Sequence, residues 1–200
     1  MMDDDEVDSD VGDSPSGEIP SEEEILTGIE DIRLTPSEHQ RIKDLVTGRE
    51  MQRIKQHDRR YLIAGAGGET GAATRRELVY EELADRDDAV SMQLEEFGLT
   101  PEAIELWIRV FDILCGRATH IVGVIEDFDG GYVWELGLLF APSYRRKTWI
   151  LKRAYTDEAT ERARFDNGMA ASHVELLLTG NRCCEWTSEL ELRDCIGTIP

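Results

Sequence analysis

From Tyr61 onward the chain alternates between short apolar runs and longer segments of helical periodicity, and this alternation constrains its fold more than any other feature. Strand-length runs fall near Tyr61–Ala66, Ala89–Leu94, His120–Ile125, Thr148–Leu151 and Arg182–Trp186. Five strands with a helical segment after each can bury their apolar faces only as a parallel sheet covered by helices. The run His120-Ile-Val-Gly-Val-Ile125 is almost continuously apolar, as a central strand covered on both faces must be. The expected fold is one flavodoxin-like (Rossmann-like) three-layer α/β domain over residues 59–200, with a five-stranded parallel sheet in the order 2-1-3-4-5.

Helix signals lie between the runs. Thr100 precedes Pro101, with Ile104, Trp107, Ile108, Phe111 and Leu114 on one face. Ala159, Ala163, Ala170, Val174 and Leu177 read as one long helix, and Ser188 with Glu191 opens the last. Upstream, residues 21–58 read as a helical extension. Ser21 with Glu24 marks one helix start, and Thr35-Pro36 with Glu38 begins a second that runs toward His57 with Ile42, Leu45, Val46 and Ile54 on its apolar side. Residues 1–20 are rich in acid, Ser, Gly and Pro and poor in large apolar side chains, so a disordered acidic tail is expected there.

Charge narrows the choice of partner. The chain has 42 acids against 22 bases, a net charge of −20, and residues 1–24 hold eleven acids and no base. Such a field repels phosphate backbones and anionic headgroups, which argues against nucleic acid and membrane surfaces. Only four of the bases are lysines, a bias that together with excess surface acid fits concentrated intracellular salt. No stretch approaches the roughly 18 apolar residues of a membrane span, and the acidic N-terminus is unlike a secretory signal, so a cytoplasmic location is expected. Cys115, Cys183, Cys184 and Cys195 contain no C-x-x-C pair and read as reduced, packing thiols, with Cys183 and Cys184 on opposite faces of one strand.

In an open α/β sheet a ligand site lies beyond the carboxyl ends of the strands, where strand order reverses. Two loops meet that description. The first is Gly65-Ala66-Gly67-Gly68-Glu69-Thr70-Gly71, where missing β-carbons let backbone approach a ligand. The second, from Glu126 through Asp129 and Tyr132 to Glu135, crowds carboxylates around a turn and sets Glu135 at a helix start. Clustered acids raise one another's pKa and can hold a proton near neutrality. No metal-loop spacing accompanies them, so neither a metal nor a cofactor is expected.

The pattern D-x-G-x-x-x-E-L-G, from Asp129 through Gly131 to Glu135, Leu136 and Gly137, resembles that of nucleoside 2-deoxyribosyltransferases, a family related in fold to TIR-like nucleotide hydrolases. The likeness extends to the Gly65-Ala66-Gly67 turn, to Asp112-Ile-Leu and to Phe165-Asp-Asn167. The resemblance implies a bound nucleoside or nucleotide whose N-glycosidic bond is cleaved or transferred. Glu135 would attack the anomeric carbon, Asp112 and Asp129 would hold and protonate the leaving base, and Asn167 would contact the sugar 5′ end. Gly65, Ala66, Gly67, Gly131 and Tyr132 would line the ligand. Family members often complete the site with a neighbouring subunit, which leaves a homo-oligomer open. Two departures stand out: the aromatic residue before the glycine turn falls on Ile63, and Gly-Leu138-Leu139 follows the glutamate where the family has Gly-Tyr-Ala. Both keep a second reading in play, a nucleotide sensor without turnover. A third is a dinucleotide-dependent reductase using the glycine loop with Glu95 or Glu96, although Tyr144 and Lys147 lack the Tyr-x-x-x-Lys spacing such enzymes use. The basic run Arg145-Arg146-Lys147 reads as a solvated loop or a phosphate contact.

Overall fold

Strand β1 (Arg59–Gly65) lies between β2 (Ala89–Met92) and β3 (His120–Ile125), and β4 (Thr148–Arg153) and β5 (Cys183–Trp186) extend the sheet on the far side of β3. The order is 2-1-3-4-5 and every pairing is parallel. The order therefore reverses between β1 and β3. This computed structural model describes residues 35–98, 104–129 and 132–200. The predicted acidic tail, the helix start at Ser21, the Thr100–Pro101 start and Gly131 lie outside the described residues. The elements named here belong to one unit, Leu34–Pro200.

Alternation along the strands sorts the core into two layers. Tyr61, Ile63, Val122 and Val124 pack with Val79 and Leu83 of α3 (Gly71–Ala84) and with Leu192, Cys195 and Ile196 of α9 (Glu189–Gly197). On the opposite face Leu62 and Ile121 meet Leu106, Val110, Phe111 and Leu114 of α4 (Ile104–Arg117). Further along that face, Ala64, Ile125 and Ile150 meet α5 (Tyr132–Leu139) and α8 (Gly168–Thr179). The result is a helix–sheet–helix sandwich, with β3 at its centre as its apolar sequence requires.

The predicted helix over residues 36–57 is divided. Gly48 is extended (φ −65°, ψ 169°) and separates α1 (Pro36–Thr47) from α2 (Arg49–Lys55). Thr35 and Glu38 form the anticipated capping box. Met51 and Ile54 are fully buried among the residues of β1, β2 and α4, so α2 shares the domain's core. The helix predicted across Ala159–Leu177 is likewise two, α7 (Glu158–Arg164) and α8, because the Asn167 side chain accepts from Ala170 N–H and starts a new helix. Between α5 and β4 runs a short helix, α6 (Pro142–Arg145).

The cysteines correct the sequence reading. Cys184 and Cys195 form a disulfide between β5 and α9, with Cα atoms 5.7 Å apart, a separation well suited to such a bridge. Cys183 and Cys184 do face opposite layers, and it is this alternation that turns Cys184 toward α9. Cys115 and Cys183 remain free thiols. No helix among the described residues is long and apolar enough to cross a membrane.

Candidate functional site

At the β1–β3 reversal the backbone leaves no room for a side chain. Gly65 has φ +149°, and a β-carbon there would lie 2.5 Å from the Val124 carbonyl oxygen. Gly68, at φ +82°, is also in the region that favours glycine. Thr70 then caps α3 by accepting from Ala73 N–H at 3.1 Å. Arg76, one turn into α3, is 8% exposed and reaches back over this loop. It donates to the Gly65 carbonyl at 3.1 Å and to Gln93 Oε1 at 3.2 Å, and pairs with Glu95 at 2.8 Å. Glu95 in turn lies over the glycine turn, its Oε1 3.2 Å from where a Gly67 β-carbon would be.

Glu135 enters the same crevice from α5. It stands in the first turn of that helix, and burial pushes its pKa up to about 8, with the charge of Glu95 raising it further and Arg76 opposing. Its Oε2 is buried and has no hydrogen-bond partner among the described residues. Arg76 and Glu95, which touch the glycine turn, are thus also the charged groups that act on Glu135. Tyr132, three residues earlier on α5, is 7% exposed with its hydroxyl also unpartnered. Burial, then the neighbouring Glu135 charge, raise the phenol's pKa well above its ordinary value. Gly123 makes this placement possible, since any β-carbon on β3 there would collide with the Tyr132 hydroxyl. A buried phenol and a carboxyl with one buried, unsatisfied oxygen thus stand at the place where an α/β sheet presents ligands, and unsatisfied buried polar groups of this kind cost folding energy.

The profile of a family of unknown function (DUF8170) matches residues 15–181, which take in everything from β1 through α8. The chain belongs to this family. No curated protein and no solved structure matches it.

The remaining loop acids of this DUF8170 protein behave differently from the mutually elevating cluster the sequence predicts. Glu126 is buried, yet Arg75 and Arg153 hydrogen-bond to it, and they outweigh the burial penalty and lower its pKa. Asp127 pairs with Arg164 at 3.1 Å and accepts from Asp129 N–H at 3.1 Å, leaving Asp129 exposed at the end of the described loop. The acid that acts on Glu135 is Glu95, from a 3₁₀ turn (Leu94–Phe97). Asp112 is exposed on α4 and takes a hydrogen bond from the Tyr144 hydroxyl of α6. None of the charged groups that shift Glu135 is Asp112 or Asp129.

The Asn167 side-chain oxygen accepts one hydrogen bond as the α8 cap, which leaves its amide hydrogens and one lone pair for a ligand. It sits beside Phe165, which meets Phe128 of the acid loop edge-on at 5.0 Å. Ala66 and Gly67 are exposed on the glycine turn. Ile63 points into the α3–α9 layer, opposite the layer that holds Tyr132, and so cannot orient Glu135. Glu96 faces Arg53 at 3.5 Å rather than the crevice. In the basic run, Lys147 donates to the Cys115 and Ala118 carbonyls at 2.6 and 2.8 Å, capping the end of α4, and Arg145 lies over the Phe140 ring. Among the described residues no three His, Cys, Asp or Glu side chains gather as metal ligands. The sequence reading missed Arg76, whose only local signal is a basic residue near the start of a helix.

Proposed function

We propose that this protein binds a nucleoside or nucleotide at the β1–β3 crevice and cleaves or transfers its N-glycosidic bond, with Glu135 as the nucleophile. The observation that carries the reading is the half-buried Glu135 carboxyl in the first turn of α5, whose Oε2 is buried without a partner among the described residues and whose charge is acted on by Arg76 and Glu95. An N-glycosidic bond breaks through an oxocarbenium-like state, which a carboxylate in a dry site stabilises or traps. In the covalent form of the reaction a Glu135 oxygen bonds to the anomeric carbon as the carbon–nitrogen bond breaks, and the base leaves with a proton. Asp129, which is exposed, is the acid assigned to give that proton, since Asp112 accepts a hydrogen bond from the Tyr144 hydroxyl. The tight fit of Tyr132 against Gly123 supports a second role, holding the wall against which Glu135 packs.

A nucleophile must be ionised, so the rate of base release should rise about tenfold per pH unit below pH 8 and level off above it. The test is incubation with nucleosides, deoxynucleosides, nucleotides and NAD, following free base by chromatography across pH, with Glu135→Gln alongside. Base release that the variant loses, with this pH profile, supports the reading. A rate that falls through pH 8 would make Glu135 the proton donor instead. Ligand stabilisation without release at any pH would leave the sensor reading, which the protonated state of Glu135 at neutral pH favours.

A further inference from the structure

A second polar cluster occupies the carboxyl edge of the sheet and is not used by the reading above. Arg75, from the first turns of α3, grips Glu126 with two hydrogen bonds, at 2.5 Å through Nε and 2.6 Å through Nη2. Arg153, the last residue of β4, donates to the same carboxylate at 2.6 Å. Both guanidinium groups lie over the ring of Trp186, the last residue of β5, at 5.7 and 5.6 Å. Arg153 also lies 5.1 Å from the Tyr155 ring, and the Tyr155 hydroxyl fixes the loop by donating to the Glu126 carbonyl at 2.9 Å. Two planar cations are thus clamped side by side by one carboxylate and an aromatic floor.

The charges and donors do not balance. One carboxylate cannot neutralise two guanidinium groups, so the cluster is locally positive in a chain whose net charge is −20. Glu189 at the start of α9 also faces Arg75, but it is exposed and bonded to Arg193. Of the five N–H donors each guanidinium carries, Arg153 commits one to Glu126 and Arg75 commits two. Both side chains keep a surface to solvent, 25% for Arg75 and 31% for Arg153. The Arg75 fork also lies beside the first residue of the fourteen-residue α3, 3.4 Å from where a Gly71 β-carbon would stand. The positive end of that helix adds to the same field. Beneath the pair, the buried Trp186 indole N–H has no acceptor among the described residues. A purely structural role for Glu126 needs only one of these arginines; the second, pre-oriented and partly open, is what a phosphoryl group requires.

We propose that Arg75 and Arg153 form a phosphate site at the carboxyl edge of the sheet, one that would take the phosphoryl group of a nucleotide. In naming that ligand the inference rests on the glycosidic reading; the anion site itself does not. Glu126 acts as a positioning residue that holds both forks on one carboxylate, and a phosphate takes the donors it leaves free.

The test is calorimetric titration of the full chain at constant ionic strength with inorganic phosphate, with the four common ribonucleosides and with their 5′-monophosphates. Arg153→Gln and Arg75→Gln are run in parallel, and their melting curves without ligand establish that they fold. Inorganic phosphate should bind saturably, and the preferred monophosphate should bind at least about tenfold more tightly than its nucleoside. Either variant should remove that difference and leave nucleoside affinity unchanged. Absence of phosphate binding to the wild-type chain, or phosphate binding that both variants retain, overturns the subsite. Phosphate binding without base release from any ligand would keep the subsite and sink the glycosidic reading. Base release from nucleosides and nucleotides at equal efficiency, without phosphate binding, would do the reverse.

Discussion

Glu135 carries a cost that can be measured without any substrate. Its carboxyl titrates near pH 8 in the folded protein against an ordinary value of 4.5. Between those values the folded chain holds a proton that the unfolded chain has lost, so this residue makes stability fall as pH rises through the window and level off above it. Replacing it with the neutral isostere removes the penalty. Glu135→Gln is therefore expected to be more stable than the wild type by roughly 2–4 kcal/mol at pH 9 and equal to it near pH 4. Urea denaturation of both proteins at the two pH values checks this; a difference that does not change with pH would mean that Glu135 is hydrated and ionised in the folded chain. The place of Glu135 in the first turn of a helix was legible from the motif Asp129 to Gly137, because the helix-start glutamate and the turn before it are adjacent in sequence. Its electrostatic partners were not legible, since Arg76 and Glu95 reach it from separate elements that only the folded sheet brings together. The surroundings of Asp112 were hidden for a complementary reason: helical periodicity allows it to point inward or outward, and the Tyr144 hydroxyl that bonds to it belongs to a helix the sequence did not reveal.

The seven-residue α2 is too short to persist on its own, so its existence depends on the contacts of Met51 and Ile54 with β1, β2 and α4. Met51→Ala should cost the whole domain about 2–4 kcal/mol in a single cooperative transition, the penalty of a buried cavity. Chemical denaturation followed by fluorescence and by circular dichroism decides it. A loss below about 0.5 kcal/mol, typical of surface sites, would mean that residues 36–55 are an appendage after all. The strands were legible because burial on both faces forces unbroken apolar runs, and His120–Ile125 matches β3 residue for residue. The helix breaks were not. Ala163 and Ala170 are seven residues apart, two helical turns, so the apolar rhythm continues across the interruption that Asn167 makes. Gly48 interrupts the first helix in the same silent way, by changing its backbone angles without disturbing the spacing of Leu45 and Ile54. The disulfide was hidden for a tertiary reason, because it depends on α9 returning to pack on β5.

At the scale of the whole chain, a net charge of −20 on 200 residues outweighs every local charge pattern, and its sign predicts how the fold responds to salt. Self-repulsion of that size favours expanded states, and raising ionic strength from 0.1 to 1 M shortens its range from about 10 Å to about 3 Å. Screening also weakens attractive pairs, of which Lys152 with Glu161 and Glu185, Arg193 with Glu82, and Glu126 with its two arginines are the best formed. Repulsion should win, because acids still outnumber bases by 31 to 22 once the eleven acids of residues 1–24 are set aside. The melting temperature is therefore expected to rise by several degrees between 0.1 and 1 M potassium chloride, with most of the gain below about 0.5 M, where screening lengths change fastest. Salt also strengthens apolar association, and Trp134 and Met169 are 77% and 83% exposed. Scans at two protein concentrations separate the two effects: screening gives the same rise at both, whereas association gives a larger rise in the more concentrated sample. A melting temperature that falls with added salt would mean that the ion pairs around Glu126 and Lys152, rather than the excess of acid, govern the electrostatics of this fold.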